Sequence, residues 1–263
     1  MRKGIYILLM VLLAAVLLYS VIQILNITTE YRAGEDSYEE LEEFFVLPET
    51  LPPEALSTEY SGEGETVPAD STEPPLVWPE VDFESLAQIN SDVVAWIYVP
   101  DTKINYPVVQ GKDNEYYLNH LFTKKVNSSG SIFLDCGAEG DFSDRNSVLH
   151  GHHMKNGSMF AGICNYKDAS FYEDHPTGML LTPHGNYEIR FFSGYVCGND
   201  ADAWQAGFTD GEYAEWLDQC IRRSYFEADV APSIEDRIIT LSTCSYEYNN
   251  ARFVLHGVLV RAE

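Results

Sequence analysis

The feature that most limits what this chain can become is a succession of eight short apolar runs in its C-terminal two thirds, separated by turns rich in Gly, Pro and Asn. They cover residues 93–99, 104–110, 131–135, 147–152, 178–182, 187–197, 237–243 and 252–260. Runs of this length and content predict β-strands. Eight of them in one domain predict a mainly β fold, a closed or nearly closed barrel. Short helices are expected over residues 82–90, 158–166 and 169–174. A longer one is announced by the capping box Thr209-Asp210-Gly211-Glu212, with Tyr213, Trp216, Leu217, Cys220 and Ile221 following at the spacing of an apolar stripe. It falls between the strand ending near Cys197 and the strand that delivers Cys244, either packed on the barrel or walling a groove.

Two appendages precede the barrel, dividing the chain into residues 1–29, 30–80 and 81–263. Arg2 and Lys3 lead into an apolar run over residues 5–25, interrupted by Ser20 and Gln23. As a helix it spans roughly 32 Å, enough to cross a hydrocarbon core. The leading positive charges predict a cytoplasmic N-terminus, placing the remainder outside the cell membrane. A cleaved signal peptide is the rival reading; the length of the run and the lack of a small-x-small site after it favour an uncleaved single-pass anchor. Residues 30–80 hold fifteen of the 41 acidic residues, one basic residue (Arg32) and seven of the twelve prolines. That composition predicts an extended, self-repelling linker, with at most a transient helix around residues 38–47.

The net charge of −25 is spread over both outer segments, −14 from residues 30–80 and −13 from residues 81–263. This argues against a nucleic-acid partner, which needs a basic surface. Five cysteines are an odd number for a domain outside the cell, so at least one is free or pairs intermolecularly; the disulfide state of Cys136, Cys164, Cys197 and Cys220 stays open. Cys164 and Cys220 fall at apolar helical positions that suit a small buried residue. Cys244 differs, because it ends a strand.

That cysteine closes the segment Thr240-Leu241-Ser242-Thr243-Cys244, and Arg252 follows eight positions later. With a short turn between them they become hairpin neighbours able to share one face. A thiol must be ionised to attack a carbonyl, and an imidazole can take and return the proton. Arginine stays protonated; it can stabilise an oxyanion or hold a substrate backbone. Imidazoles are offered by His150, His152 and His153 around Gly151.

The pairing of TLSTC and Arg252 with GHHMKNGSMF (residues 151–160) resembles the class B sortases, membrane-anchored cysteine transpeptidases of Gram-positive bacteria. VVAWIYVPDTKINYPVVQGKDNEYYLNHLF (residues 93–122), GSIFLD (residues 130–135) and the long helix before the cysteine strand are similar to that family as well. The resemblance spans roughly residues 82–261 and implies a closed eight-stranded sortase-like β-barrel. It also implies Cys244 as nucleophile, His152 as general acid/base, and Arg252 as oxyanion stabiliser and substrate-positioning group. Asn114, Leu118, Ser242 and Thr243 match groove positions, and His150 lines the groove. Family members commonly carry Tyr where this chain has His150, and some an acidic residue at Ser245.

What the resemblance implies chemically is attack of Cys244 on the Thr carbonyl of a C-terminal sorting signal in a secreted protein. A thioester forms, and an amine of a peptidoglycan precursor or a pilin resolves it. Neither metal nor organic cofactor is required. The chain ends just past its last strand without a sorting signal of its own, as expected of the enzyme and not of its cargo. Rival readings are a cysteine peptidase that hydrolyses the acyl-enzyme with water, and a non-catalytic surface-displayed binding module. A zinc site on His150, His152 and His153 lacks a completing ligand. The acidic loop with Glu139, Asp141 and Asp144 lacks the order of a calcium loop.

Overall fold

The computed structural model describes residues 2–48 and 78–262. Its centre is a barrel closed by eight strands: β3 (Val93–Tyr98), β4 (Asn105–Gln110), β5 (Ile132–Leu134), β6 (Asn146–His150), β7 (Thr177–Thr182), β8 (Gly185–Gly198), β9 (Ile238–Cys244) and β10 (Ala251–Arg261). Their order around the barrel is β10-β8-β7-β3-β4-β5-β6-β9, so all eight predicted runs are found as barrel strands. Closure leaves no free sheet edge. Trp96, Ile97, Val108, Leu134, Leu149, Leu180, Ile189, Phe191, Leu241, Phe253 and Leu255 are among the side chains buried in the core.

Six of the eight strand joints are antiparallel, whereas β4–β5 and β6–β9 are parallel. Parallel neighbours cannot be linked by a tight hairpin and require a crossover. The β4–β5 crossover carries the 3-10 turn Tyr116–Leu118. The β6–β9 joint brings the start of the GHHMKNGSMF segment beside the cysteine strand.

Helix α1 (Arg2–Glu39) contains the apolar run, with its side chains exposed and a mean hydropathy of 2.8 over its best 18-residue window. It does not stop where the acidic composition begins. The expected extended linker from residue 30 is helical to Glu39, continues as a 3-10 turn (Glu40–Phe44), and enters β1 (Phe45–Val46). Strand β1 pairs antiparallel with β2 (Glu80–Val81). The cause is a stripe hidden among the acids: Tyr38, Leu41 and Phe45 recur at helical spacing and are buried, Phe45 stacking on Trp96 with ring centroids 5.4 Å apart. Residues 49–77, with five of the seven prolines assigned to the linker, lie outside the described residues. Because Val46 pairs with Glu80, the described residues on either side of this segment lie next to each other.

Helix α2 (Phe83–Ile89) is capped by Asp82, whose carboxylate accepts from the Ser85 amide at 2.9 Å. The helix expected over residues 158–166 is a 3-10 helix at Phe160–Lys167, with the poor helix former Gly162 inside it. It is followed by α3 (Ala169–Asp174). Helix α4 (Asp210–Arg223) has its complete capping box and buries Tyr213, Trp216, Leu217 and Cys220. Ile221, counted in the predicted stripe, is 44% exposed. The helix packs on the outside of the barrel against Phe192, Tyr195, Val254 and Val258, and none of its residues lines the groove described below.

Candidate active site

Three neighbouring strands build the site. In the antiparallel β9–β10 pair, Cys244 stands directly opposite Arg252. Residues so paired point to one face of the sheet. On the other side of β9, the parallel register pairs His150 with Ser242. Two hydrogen bonds extend that joint past the end of β6. The Gly151 amide donates to the Ser242 carbonyl at 3.1 Å, and the Thr243 hydroxyl donates to the Gly151 carbonyl at 2.8 Å. His152 lies two residues beyond the last registered pair and lines the same groove as Cys244 and Arg252. An imidazole, a thiol and a guanidinium therefore meet in that groove.

Gly151 is required by this arrangement: a Cβ there would lie 2.4 Å from Ile132 Cδ1 and 2.7 Å from Phe160 Cδ2. The three imidazoles around it take three different partners. His152 Nε2 lies 2.6 Å from the Leu118 carbonyl. A carbonyl only accepts, so Nε2 carries a proton and Nδ1 is the nitrogen left free. His153 Nδ1 likewise donates to the Cys244 carbonyl at 2.9 Å, and it lies 3.5 Å from the half-buried Cys164 sulfur. His150 Nε2 meets the Asp135 carboxylate at 3.3 Å. Three rings so directed do not converge on a metal, and no metal-ligating group of three His, Cys, Asp or Glu occurs among the described residues.

A groove of about 320 Å³ gathers all the residues expected at the site: Asn114, Leu118, His150, His152, Ser242, Thr243, Cys244 and Arg252. Their exposure to it differs. Leu118 is 42% exposed, while Thr243 is buried with its hydroxyl turned toward Gly151. Asn114 is fixed at both ends, its amide NH₂ donating to Asp135 Oδ2 at 2.7 Å and its carbonyl oxygen accepting from the Cys136 amide at 2.8 Å. Asp135 is held down to about 2 chiefly by the hydrogen bond from His150, against some burial, with the Gly137 amide and Asn114 assisting. Among the described residues Arg252 has no carboxylate partner; its Nη1 donates to the Ala251 carbonyl at 3.1 Å.

The groove also contains Phe133, Asn199 and Trp204, which the sequence did not single out. The Trp204 indole donates to the Ser242 hydroxyl at 3.1 Å. Trp204 lies in the β8–α4 connection, so that connection, not the helix, contributes to the groove. Below the cysteine, the Ser245 hydroxyl takes a hydrogen bond from Lys167 at 3.0 Å and itself donates to Glu247, which also pairs with Lys167. All five cysteines are free thiols. Burial raises Cys164 and Cys197 to about 11 and Cys220 to about 12, leaving them poor nucleophiles at neutral pH. His256 is a core residue between the Thr240 and Tyr195 hydroxyls, with burial lowering its pKa to about 3. The acidic loop uses its carboxylates on its own backbone, Asp144 accepting from Glu139 and Asp141 from Ser143.

A closed barrel presenting a thiol, an imidazole and a guanidinium in one groove has the groups of a cysteine acyltransferase site. Known proteins of similar sequence and fold narrow the class. No family model matches the chain. A curated sortase B from Listeria monocytogenes is 37% identical over 182 residues, covering 68% of this chain and 74% of the relative. The solved Staphylococcus aureus sortase B–substrate complex superposes with a TM-score of 0.66 at 36% identity, over 69% of this chain and 85% of that one. A sortase B complexed with triglycine gives the same TM-score and identity, over 69% and 86%. The chain belongs to the sortase B family, and it is a sortase-type cysteine transpeptidase.

Proposed function

We propose that this chain cleaves the C-terminal sorting signal of secreted proteins at a threonine and joins the new carboxyl end to an amine of a peptidoglycan precursor or a pilin. The observation that carries the proposal is the direct Cys244–Arg252 register with His152 lining the same groove. His152 Nδ1 is the nitrogen through which the thiol proton passes, since Nε2 is held by Leu118. The Cys244 thiolate adds to the threonine carbonyl carbon, and the oxyanion forms beside the Arg252 guanidinium. When the C–N bond breaks, the departing amine takes the proton from His152. The acceptor amine then attacks the thioester, gives a proton to His152, and releases Cys244 as thiolate. Every bond and proton is accounted for by these three side chains and two substrates.

Asn114, Leu118, His150, Ser242 and Thr243 form the substrate-binding surface in this reading. Solved relatives support it, one having been crystallised with a substrate and another with triglycine. The apolar part of α1 serves as a single-pass membrane anchor with its N-terminus in the cytoplasm and the barrel outside. The test is incubation of the protein with a panel of sorting-signal peptides, with and without a glycine-based amine. Amine-dependent ligation that disappears in Cys244→Ala supports transpeptidation. Cleavage that is indifferent to the amine favours hydrolysis by water, and no cleavage of any peptide overturns the proposal.

A further inference from the structure

We infer that the N-terminal helix acts on the catalytic site through the loop of residues 127–131, and that Tyr38 is a positioning residue for His152. The inference rests on the proposed role of His152. One face of α1, marked by Glu30, Gly34 and Tyr38 at intervals of four, follows the loop of residues 127–131 in order. The Glu30 carbonyl accepts from Asn127 Nδ2 and its carboxylate from the Ser128 amide, both at 2.9 Å. A Cβ on Gly34 would come within 2.6 Å of Ser129 Oγ, so the helix lies directly on the loop. The buried Tyr38 hydroxyl donates to the Gly130 carbonyl at 2.6 Å and sits 3.1 Å from Ser131 Oγ.

From there the path to the histidine is short. Gly130 has φ of +57°, and a Cβ on it would stand 2.6 Å from the Tyr117 carbonyl and 2.7 Å from the Leu118 carbonyl. Ser131 donates its amide to Tyr117 at 2.9 Å and its hydroxyl to His120 at 2.8 Å. The Leu118 carbonyl lies between Tyr117 and His120, the two residues held by Ser131, and packs closely on Gly130; it is the group that holds His152 Nε2. Tyr38 touches no substrate position and acts only through the loop. The same contacts make α1 a stiff extension of the barrel. A helix that crosses a bilayer would thus fix the orientation of the groove to the membrane instead of letting it swing on a tether.

The test uses the full chain in lipid nanodiscs with Tyr38→Phe, Gly34→Leu as an independent wedge on the docking face, and Glu40→Gln on the exposed face as control. The substrate-free readout is the pH dependence of Cys244 alkylation by iodoacetamide, followed by mass spectrometry of its peptide, together with the NMR shift of the His152 ring. The groups facing His152 from the groove (Cys244, Arg252 and His150) are unchanged in all three variants. Both docking variants are expected to move the alkylation midpoint by about half a pH unit and to lower kcat about tenfold with KM within about twofold. Glu40→Gln is expected to superimpose on wild type. Profiles and ring shifts that coincide with wild type while only thermal stability falls would overturn the inference. Because alkylation needs no peptide, that outcome is separable from failure of the proposed transfer reaction.

Discussion

Cys244 and Arg252 face each other across the β9–β10 pair with no residue between them, although eight positions separate them in sequence. Strands in a sheet lie about 4.8 Å apart, so this register sets the two side chains next to each other on one face. In the proposed reaction the Arg252 guanidinium is the group that meets the oxyanion. Arg252→Lys keeps the charge but loses the planar fork of donors, and should lower kcat/KM by about 10-fold or more. Arg252→Ala should cost about 100- to 1,000-fold. Single-turnover acylation rates check both; a lysine variant as active as wild type would remove the oxyanion role.

The paired strands β1 and β2 bring the two points that residues 49–77 connect next to each other. Replacing that segment with a short Gly-Ser turn should leave folding, helix docking and transfer activity within about twofold of wild type, since loop length enters stability only logarithmically. Thermal melting and peptide ligation on the shortened chain measure this. Loss of folding would show that the segment packs on the domain.

The barrel was legible because its eight strands announce themselves one by one through β-branched and aromatic runs with turn residues between. Cys244 and Arg252 were legible for a related reason: a hairpin is local, so spacing alone pairs them. The placing of the histidine segment at the cysteine strand rests on a parallel joint between β6 and β9, which joins residues some ninety positions apart and leaves no periodic trace. The docked end of α1 reads as linker because Glu30, Gly34 and Tyr38 form a polar and small-residue face inside an acidic stretch. Leu118 stands out for its side chain, yet its backbone carbonyl makes the contact with His152, and no sequence pattern reports a carbonyl. Trp204 sits in a connection whose position is fixed by long-range contacts, from Ser242, Asn146 and Trp216, that no local pattern announces.

His152 and His153 are adjacent but do different work, and substitution should separate them. His153 donates to the Cys244 carbonyl and borders Tyr246, so it steadies the end of β9. His153→Ala should reduce the acylation rate by about tenfold through misplacement of the nucleophile while leaving the shape of the pH–rate profile intact. His152→Ala should abolish the acid/base step, a loss of about 1,000-fold, and flatten the profile. Reversal of these two outcomes would transfer the catalytic role to His153.

Asp135 ties the groove to acid stability. His150 and Asn114 both hydrogen-bond its carboxylate, which stays ionised down to about pH 2 in the folded protein, against a reference value of 3.8. Between those values the unfolded chain binds the extra proton, so stability rises with pH across the window and is lost as pH falls from about 4 to about 2. With the side chain 31% exposed, solvent screening limits the contribution to the order of 1 kcal/mol. Asp135→Asn removes the titration, so its urea midpoint should change less than that of wild type between about pH 4.5 and 2.5, and it should start lower at pH 7 because the carboxylate that accepts from His150 and Asn114 is gone. Asn114 would also lose its charged acceptor, loosening the wall opposite Ser242, and a rise in KM for peptide should accompany the change. Parallel acid dependence in the two proteins would mean that the Asp135 carboxylate titrates in the folded state as it does in the unfolded chain.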